Sequence, residues 1–195
     1  MTINLIILPV LLQFSIAIIL LFFWRKIAVQ KVISIAGSII SIFVAVALFT
    51  RVYDNTILTM QAGDWQAPFG ISFVADTFSA TMILLASISS TAVTIFSVVT
   101  IKKARMRFGY FPSFHFLVMG LNGAFLTGDI FNLYVWFEVI IISSFVFITL
   151  GGKKVQIEGA VKYFTLNFLA SMIFLTAIAV LYGLAGRLSM AELSG

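Results

Sequence analysis

A single acidic residue in the middle of a long apolar stretch constrains the fold of this chain more than any other feature. The stretch runs from Ile130 to Leu150, and Glu138 is its one carboxylate. At about 1.5 Å per residue, a helix of this length crosses a hydrocarbon core of about 30 Å. Glu138 then lies near the bilayer midplane, where a carboxylate is costly unless it faces protein or water. Because Tyr134 is the only polar residue within two turns on its face, we expect the partner of Glu138 on another helix.

The composition identifies an integral membrane protein. Hydrophobic residues make up 62% of the 195 residues and charged residues only 10%, against about 25% in a soluble domain. The chain has no cysteine, which excludes disulfides, thiolate metal sites and iron–sulfur clusters. It has no glycine-rich phosphate loop, HExxH motif or catalytic triad. We therefore expect no cofactor, no bound metal and no enzymatic activity.

The apolar runs predict a single all-α membrane domain over residues 1–195 that crosses the bilayer six times. A short extracytoplasmic β-hairpin is expected between the second and third helices, with strands at 57–61 and 69–74 and turn residues at 62–68. Asp76 is then expected to cap the third helix. The six predicted helices cover about 3–24, 32–50, 78–100, 113–127, 130–150 and 159–185.

Loop charges predict the orientation in the membrane. The loops after helices one, three and five carry Lys and Arg, whereas those after helices two and four carry acidic residues and one cation, Arg51. Cytoplasmic loops hold the excess of Lys and Arg. We therefore expect a multi-pass protein of the cell (inner) membrane with both termini outside the cytoplasm. The net charge of +5 reflects this topology and does not indicate nucleic-acid binding.

Two charged residues in the apolar helices are candidates for a proton pathway. Glu138 is either a proton-carrying or ion-pairing group, as buried acids in membranes often are, or a structural carboxylate bonded to a neighbouring helix. Lys162 lies roughly two turns into the sixth predicted helix. It either relays protons with Glu138 or pairs with Glu158, four residues earlier on its own helix.

Two further titratable residues have both a functional and a structural interpretation. His115, near the cytoplasmic end of the fourth predicted helix, is a candidate for proton entry because imidazole titrates near neutrality. The alternative is an interfacial histidine without a transport role. Asp129 directly precedes Ile130, where a carboxylate caps a helix N-terminus, and its alternative role is that of a proton carrier.

Three stretches resemble one known family. The segment 122–138, NGAFLTGDIFNLYVWFE, looks like the signature of the D subunit of Mrp-type multisubunit Na⁺/H⁺ antiporters. The segment 63–76, GDWQAPFGISFVAD, resembles the amino-terminal hairpin of that subunit, and 159–164, GAVKYF, with Asn167 resembles its sixth helix. More distantly, the chain is similar to antiporter-like membrane-arm subunits of complex I and of membrane-bound hydrogenases.

The resemblance implies a function and partners. It implies a subunit of a monovalent cation/proton antiporter, with other complex subunits, protons, Na⁺ or another monovalent cation and the lipid bilayer as partners. In that family the glutamate matched by Glu138 pairs with a lysine on a broken seventh helix, and the sixth-helix lysine is matched by Lys162. The chain ends before a seventh helix, so we expect an amino-terminal fragment. The alternatives are a non-transporting truncated or scaffold subunit, and a subunit of a complex I- or hydrogenase-type assembly.

Overall fold

A computed structural model describes residues 5–55, 57–62 and 70–193. The described part of the chain is mostly helical, with one small sheet. In chain order its elements are α1 (Leu8–Phe22), α2 (Ile27–Asn55), β1 (Leu58–Gln61), β2 (Ser72–Ala75), α3 (Thr77–Thr100), α4 (Lys103–Arg107), α5 (Tyr110–Leu126), α6 (Ile130–Thr149), α7 (Lys154–Ala185) and α8 (Met190–Leu193).

Four of the described helices are long and apolar enough to cross a membrane. They are α2, α3, α6 and α7. Of the other two predicted spans, α1 has 15 residues and α5 has 17, whereas about 20 are needed for a hydrocarbon core of 30 Å. Helix length and composition therefore support four spans directly.

The helix α2 begins at Ile27, five residues before the predicted start, and the basic linker is correspondingly short. Gln30, on the added first turn of α2, bonds to the end of α1: its Nε2 donates to the carbonyls of Phe23 and Trp24 at 3.1 and 3.0 Å. The Phe23 carbonyl also accepts from the backbone N–H of Lys26 at 2.9 Å. Residues 27–31 of the predicted linker thus belong to α2. The predicted loop after α3 likewise contains the short helix α4.

The sheet lies between α2 and α3 in the chain. Strands β1 and β2 are antiparallel, with Leu58 opposite Ala75 and Gln61 opposite Ser72. Residues 63–68 of the predicted turn at 62–68, and residue 69 of the second predicted strand, lie outside the described residues. Asp76 caps α3 as expected, because its Oδ1 accepts from the backbone N–H of Ser79 at 2.7 Å. The Ser79 hydroxyl in turn accepts from the backbone N–H of Asp76 at 2.9 Å, which completes a capping box.

Backbone hydrogen bonds join the sheet to the ends of the later helices. The amide of Gly128, in the turn between α5 and α6, donates to the Ser72 carbonyl of β2 at 2.8 Å. On the other side of that turn, the Ile130 amide donates to the Leu188 carbonyl at 3.0 Å. The starts of α3 and α6 and the segment after α7 are thereby held at one end of the molecule.

The helices differ in how much of their surface is buried against other helices. Helices α1, α2, α3 and α5 contact one another around the main core, α6 packs against α5, and α7 packs against α6. Along α7, all of which is described, only Ala160 and Ile178 are buried. The interface between α6 and α7 is therefore at the edge of the molecule, and it is there that Glu138 lies.

Candidate proton site

Glu138 is hydrogen-bonded across the interface between α6 and α7. The hydroxyl of Ser171, near the middle of α7, donates to Glu138 Oε1. The Tyr134 hydroxyl, one turn before Glu138 on α6, lies 3.3 Å from Ser171 Oγ. The partner of Glu138 is thus on another helix, but it is a neutral hydroxyl. Sequence reasoning missed Ser171, although a serine in the apolar middle of α7 was the available signal.

A cavity opens beside this carboxylate. Its volume is about 190 Å³, enough for several water molecules at roughly 30 Å³ each. The amide nitrogen of Asn167 donates to the Tyr163 carbonyl at 2.8 Å, so its oxygen is the group left to bind water. The lining includes Tyr134, Phe137, Glu138, Ile141, Asn167 and Ser171. The cavity therefore combines apolar walls with hydroxyl, amide and carboxyl groups, which suits an exchangeable proton.

Aromatic contacts hold the two helices together around the cavity. The Phe174 ring of α7 meets the rings of Tyr134 and Phe137 with centroids 6.1 and 6.3 Å apart. Toward the other end of α6, Phe145 meets Phe164 at 5.4 Å. Such pairs contribute beyond their burial, about 0.5–1.5 kcal/mol each. The polar contact of Glu138 therefore lies within an interface that also has its own apolar packing.

Lys162 is separate from this cavity. Ser171 lies about two and a half turns beyond Lys162, roughly 13 Å along α7 and on the opposite face. Lys162 is exposed, and within the described ranges no ion pair joins it to Glu138 or Glu158. The structure thus brings Lys162 to neither of the two carboxylates considered from the sequence.

His115 belongs to a different, buried network. It is only 1% exposed and is therefore enclosed by the protein. Its Nδ1 lies 2.6 Å from Gln13 Oε1 of α1, and its Nε2 lies 2.9 Å from Ser34 Oγ of α2. Gln13 Nε2 donates to Ser41 Oγ at 2.7 Å, which leaves Oε1 as the acceptor and places the imidazole proton on Nδ1. The imidazole thus crosslinks three helices in the core.

Asp129 is the N-cap of α6. Its Oδ1 accepts from the backbone N–H of Asn132 at 2.8 Å, and the residue is 7% exposed. The Asn132 side chain donates to Thr127 Oγ1 at 2.8 Å, which braces the same turn. This geometry corresponds to the capping interpretation of Asp129. Among the four candidate residues, the structure places only Glu138 at the cavity between α6 and α7.

The part of the chain that forms the cavity is similar to a known protein family. Residues 127–195 match the family model described as NADH:quinone oxidoreductase/Mrp antiporter, transmembrane region. The match begins just before α6 and includes Glu138, Lys162 and Ser171. It therefore covers the whole cavity described above.

Curated relatives are similar over almost the entire chain. The chain is 42% identical over 191 residues to the D subunit of the Na⁺/H⁺ antiporter of Alkalihalophilus pseudofirmus, covering 98% of this chain and 39% of that protein. It is 37% identical over 191 residues to the corresponding protein of Bacillus subtilis, with the same coverage. The chain thus spans about two fifths of the length of these relatives. The predicted resemblance to the D subunits is confirmed.

Two solved structures share the fold. A chain of the Mrp complex from Dietzia superposes with a TM-score of 0.87 at 27% identity, covering 99% of this chain and 37% of that one. A chain of the archaeal membrane-bound sulfane sulfur reductase, a respiratory membrane complex, superposes with a TM-score of 0.85 at 28% identity. This match covers 97% of this chain and 38% of that one.

Proposed function

Because this chain is a relative of the Mrp-type Na⁺/H⁺ antiporter D subunits along almost its whole length, we propose that it contributes to proton translocation in a multisubunit monovalent cation/proton antiporter. Its partners are the other subunits of the complex, the lipid bilayer, protons and Na⁺ or another monovalent cation. Helices α1, α2, α3, α5, α6 and α7 are the six spans. Both termini and the β1–β2 sheet face away from the cytoplasm, as the loop charges indicate.

The observation that carries the proposal is the position of Glu138. It lies near the middle of an apolar helix, next to a cavity, with a hydroxyl rather than a cation as its hydrogen-bond partner. In a medium of low polarity, the charge of a carboxylate depends strongly on what approaches it. Glu138 is therefore the group that we propose carries the proton. Water in the cavity provides the route by which that proton leaves.

The other three candidates have secondary roles in this proposal. Lys162 lies on the face of α7 opposite Ser171 and stays a candidate for the pathway as an exposed charge on that helix. His115 and Asp129 stay candidates for the pathway, although they lie away from the cavity and both ring nitrogens of His115 and Oδ1 of Asp129 are already hydrogen-bonded. Their contribution to proton transfer therefore has less support from the geometry than that of Glu138.

A subunit of a respiratory complex is the second candidate. The superposition on the sulfane sulfur reductase chain favours it. The identity of 42% to an antiporter D subunit, against 28% to that chain, favours the antiporter. A scaffold that carries no ions is the third, and it requires no role for Glu138 beyond packing.

Glu138→Gln tests the proposal because the amide keeps the size of the side chain and cannot ionise. The variant is assayed in the complete complex, in everted vesicles from an antiporter-deficient host, as the pH change that Na⁺ induces. We expect exchange to fall at least ten-fold while assembly is normal. Glu158→Gln makes the same change at an exposed position of α7 and serves as the matched control. Full exchange by Glu138→Gln in an assembled complex would contradict the proposal and favour the scaffold.

A further inference from the structure

We propose that Ser171 is a positioning residue for the Glu138 proton, with Tyr134 as the second member of a hydroxyl pair. The inference rests on the proposed function of Glu138. Ser171 Oγ lies between the other two groups: it is bonded to Glu138 Oε1 and lies 3.3 Å from the Tyr134 hydroxyl. All three line the same cavity. Neither hydroxyl was a candidate from the sequence.

The chemistry of a hydroxyl suits a carboxyl group that changes its protonation state. A hydroxyl has one donor and two acceptor sites, so it donates to a carboxylate and accepts from a carboxylic acid. Ser171 has one proton and lies within reach of two acceptors, Glu138 Oε1 and the Tyr134 oxygen. When Glu138 is ionised, Ser171 donates to it. When Glu138 is protonated, it donates to Ser171, and rotation about the Ser171 C–O bond turns the serine proton to the Tyr134 oxygen. Both states of Glu138 are thereby satisfied without movement of either helix.

The position of Ser171 also limits how Glu138 faces the cavity. A carboxyl group held at one oxygen from α7 cannot rotate freely, and its second oxygen is left for water or for an approaching cation. Without the Ser171 hydroxyl, the carboxyl group has no hydrogen-bond partner on α7 among the described residues. Proton exchange then depends on water alone, and we expect it to be slower.

A purely structural role for Ser171 makes a different prediction. Small residues let membrane helices approach closely, and in that role the side-chain volume matters and the hydroxyl does not. Ser171→Ala keeps the small size and removes the hydroxyl. The aromatic contacts of Phe174 with Tyr134 and Phe137 remain, so α6 and α7 are expected to stay together. Removing the hydroxyl oxygen alone therefore distinguishes the two roles of Ser171.

The test compares variants in the complete complex by infrared difference spectroscopy and by Na⁺/H⁺ exchange. The carboxyl C=O band of Glu138 is identified by its loss in Glu138→Gln. We expect Ser171→Ala to move this band to higher frequency, because the carboxyl loses a hydrogen bond, and to lower the exchange rate at least five-fold. Ser171→Thr keeps the hydroxyl and is expected to restore both. Thr176→Val removes a hydroxyl bonded to its own helix at an exposed position of α7 and is the matched control.

The possible results distinguish a failure of the role of Ser171 from a failure of the proposed function of Glu138. An unchanged band and rate in Ser171→Ala, with exchange abolished by Glu138→Gln, overturns the role of Ser171 and leaves the proposed function intact. Full exchange by Glu138→Gln overturns the proposed function itself. If Ser171→Ala does not assemble, Tyr134→Phe decides the matter. That variant keeps the ring contacts and is expected to shift the band and lower the rate; no effect of it would contradict the inference.

Discussion

The indole ring of Trp136 on α6 covers Gly123 on α5 so closely that no side chain fits between them. A Cβ at Gly123 would meet the ring carbons of Trp136 well inside contact distance. This approach fixes the separation of α5 and α6, and with it the place of Glu138 half a turn further along α6. The need for a glycine at position 123 is therefore a packing constraint that its position in an apolar helix does not predict.

Gly123→Ala is expected to destabilise the packing of α5 against α6 by about 1–3 kcal/mol, the usual range for overpacking. Thermal unfolding of the purified protein in detergent measures the effect as a lower midpoint. Gly183→Ala is the control, because a Cβ there meets nothing within 4 Å. Equal midpoints for the two variants would show that Trp136 moves aside without cost.

The buried imidazole makes a second prediction about stability. His115→Leu leaves the acceptor Gln13 Oε1 and the Ser34 hydroxyl without their partner in the core, at about 1–3 kcal/mol for each unsatisfied group. Gln13→Leu removes one of these stranded groups. The double variant is therefore expected to lose less stability than the two single variants lose together. A double-mutant cycle measures this coupling. Strict additivity would mean that the two side chains do not interact.

The cap formed by Asp76 at the start of α3 should make the stability of the protein depend on pH. The backbone N–H of Ser79 donates to its carboxylate and holds the pKa of Asp76 below the usual value of 3.8. A lowered folded-state pKa stabilises the protein above the unfolded-state value, and this stabilisation is lost as the pH falls through the folded-state value. Asp76→Ala is therefore expected to cost about 0.5–2 kcal/mol at neutral pH, and less as the pH falls below about 4.

Chemical unfolding of the wild type and Asp76→Ala at a series of pH values measures this difference. Asp54→Ala, at an exposed position near the end of α2, is the control and is expected to change stability little. A difference between wild type and Asp76→Ala that stays constant down to pH 2 would contradict the capping role of the ionised carboxylate.

The proposed orientation is open to a direct labelling test, because the chain has no native cysteine. Thr59 on β1 and Lys103 on α4 are both exposed. We expect Thr59→Cys to react with a membrane-impermeant maleimide in intact cells and Lys103→Cys to react only after permeabilisation. The reverse pattern would show that the termini face the cytoplasm.

The helical, membrane-embedded character of the chain was predictable, whereas the contacts of its polar residues were not. Long apolar runs identify membrane spans because a backbone in hydrocarbon has no water to bind. Its N–H and C=O groups must therefore bond to each other, as they do in a helix. The partner of Glu138 depends instead on the rotation and register of α7 against α6. A serine, an asparagine and a lysine were all available on that helix, and the helix period alone does not say which face meets α6.

One helix boundary and one side-chain environment could not be predicted, for similar reasons. The predicted start of α2 is too late because nearby basic residues resemble a loop, and the contact of the Gln30 amide with the end of α1 is not part of a helix period. The sequence leaves two interpretations of His115 open, proton entry and an interfacial position. Its burial depends on Gln13 and Ser34, which come from two other helices and are distant in the sequence.

Infrared difference spectroscopy of the assembled complex, with and without a Na⁺ gradient, tests most directly whether Glu138 carries a proton. We expect a carboxyl C=O band that changes with the gradient, disappears in Glu138→Gln and persists in Glu158→Gln. A spectrum with no such band in an actively exchanging complex, or with one that survives Glu138→Gln, would show that Glu138 does not carry the proton.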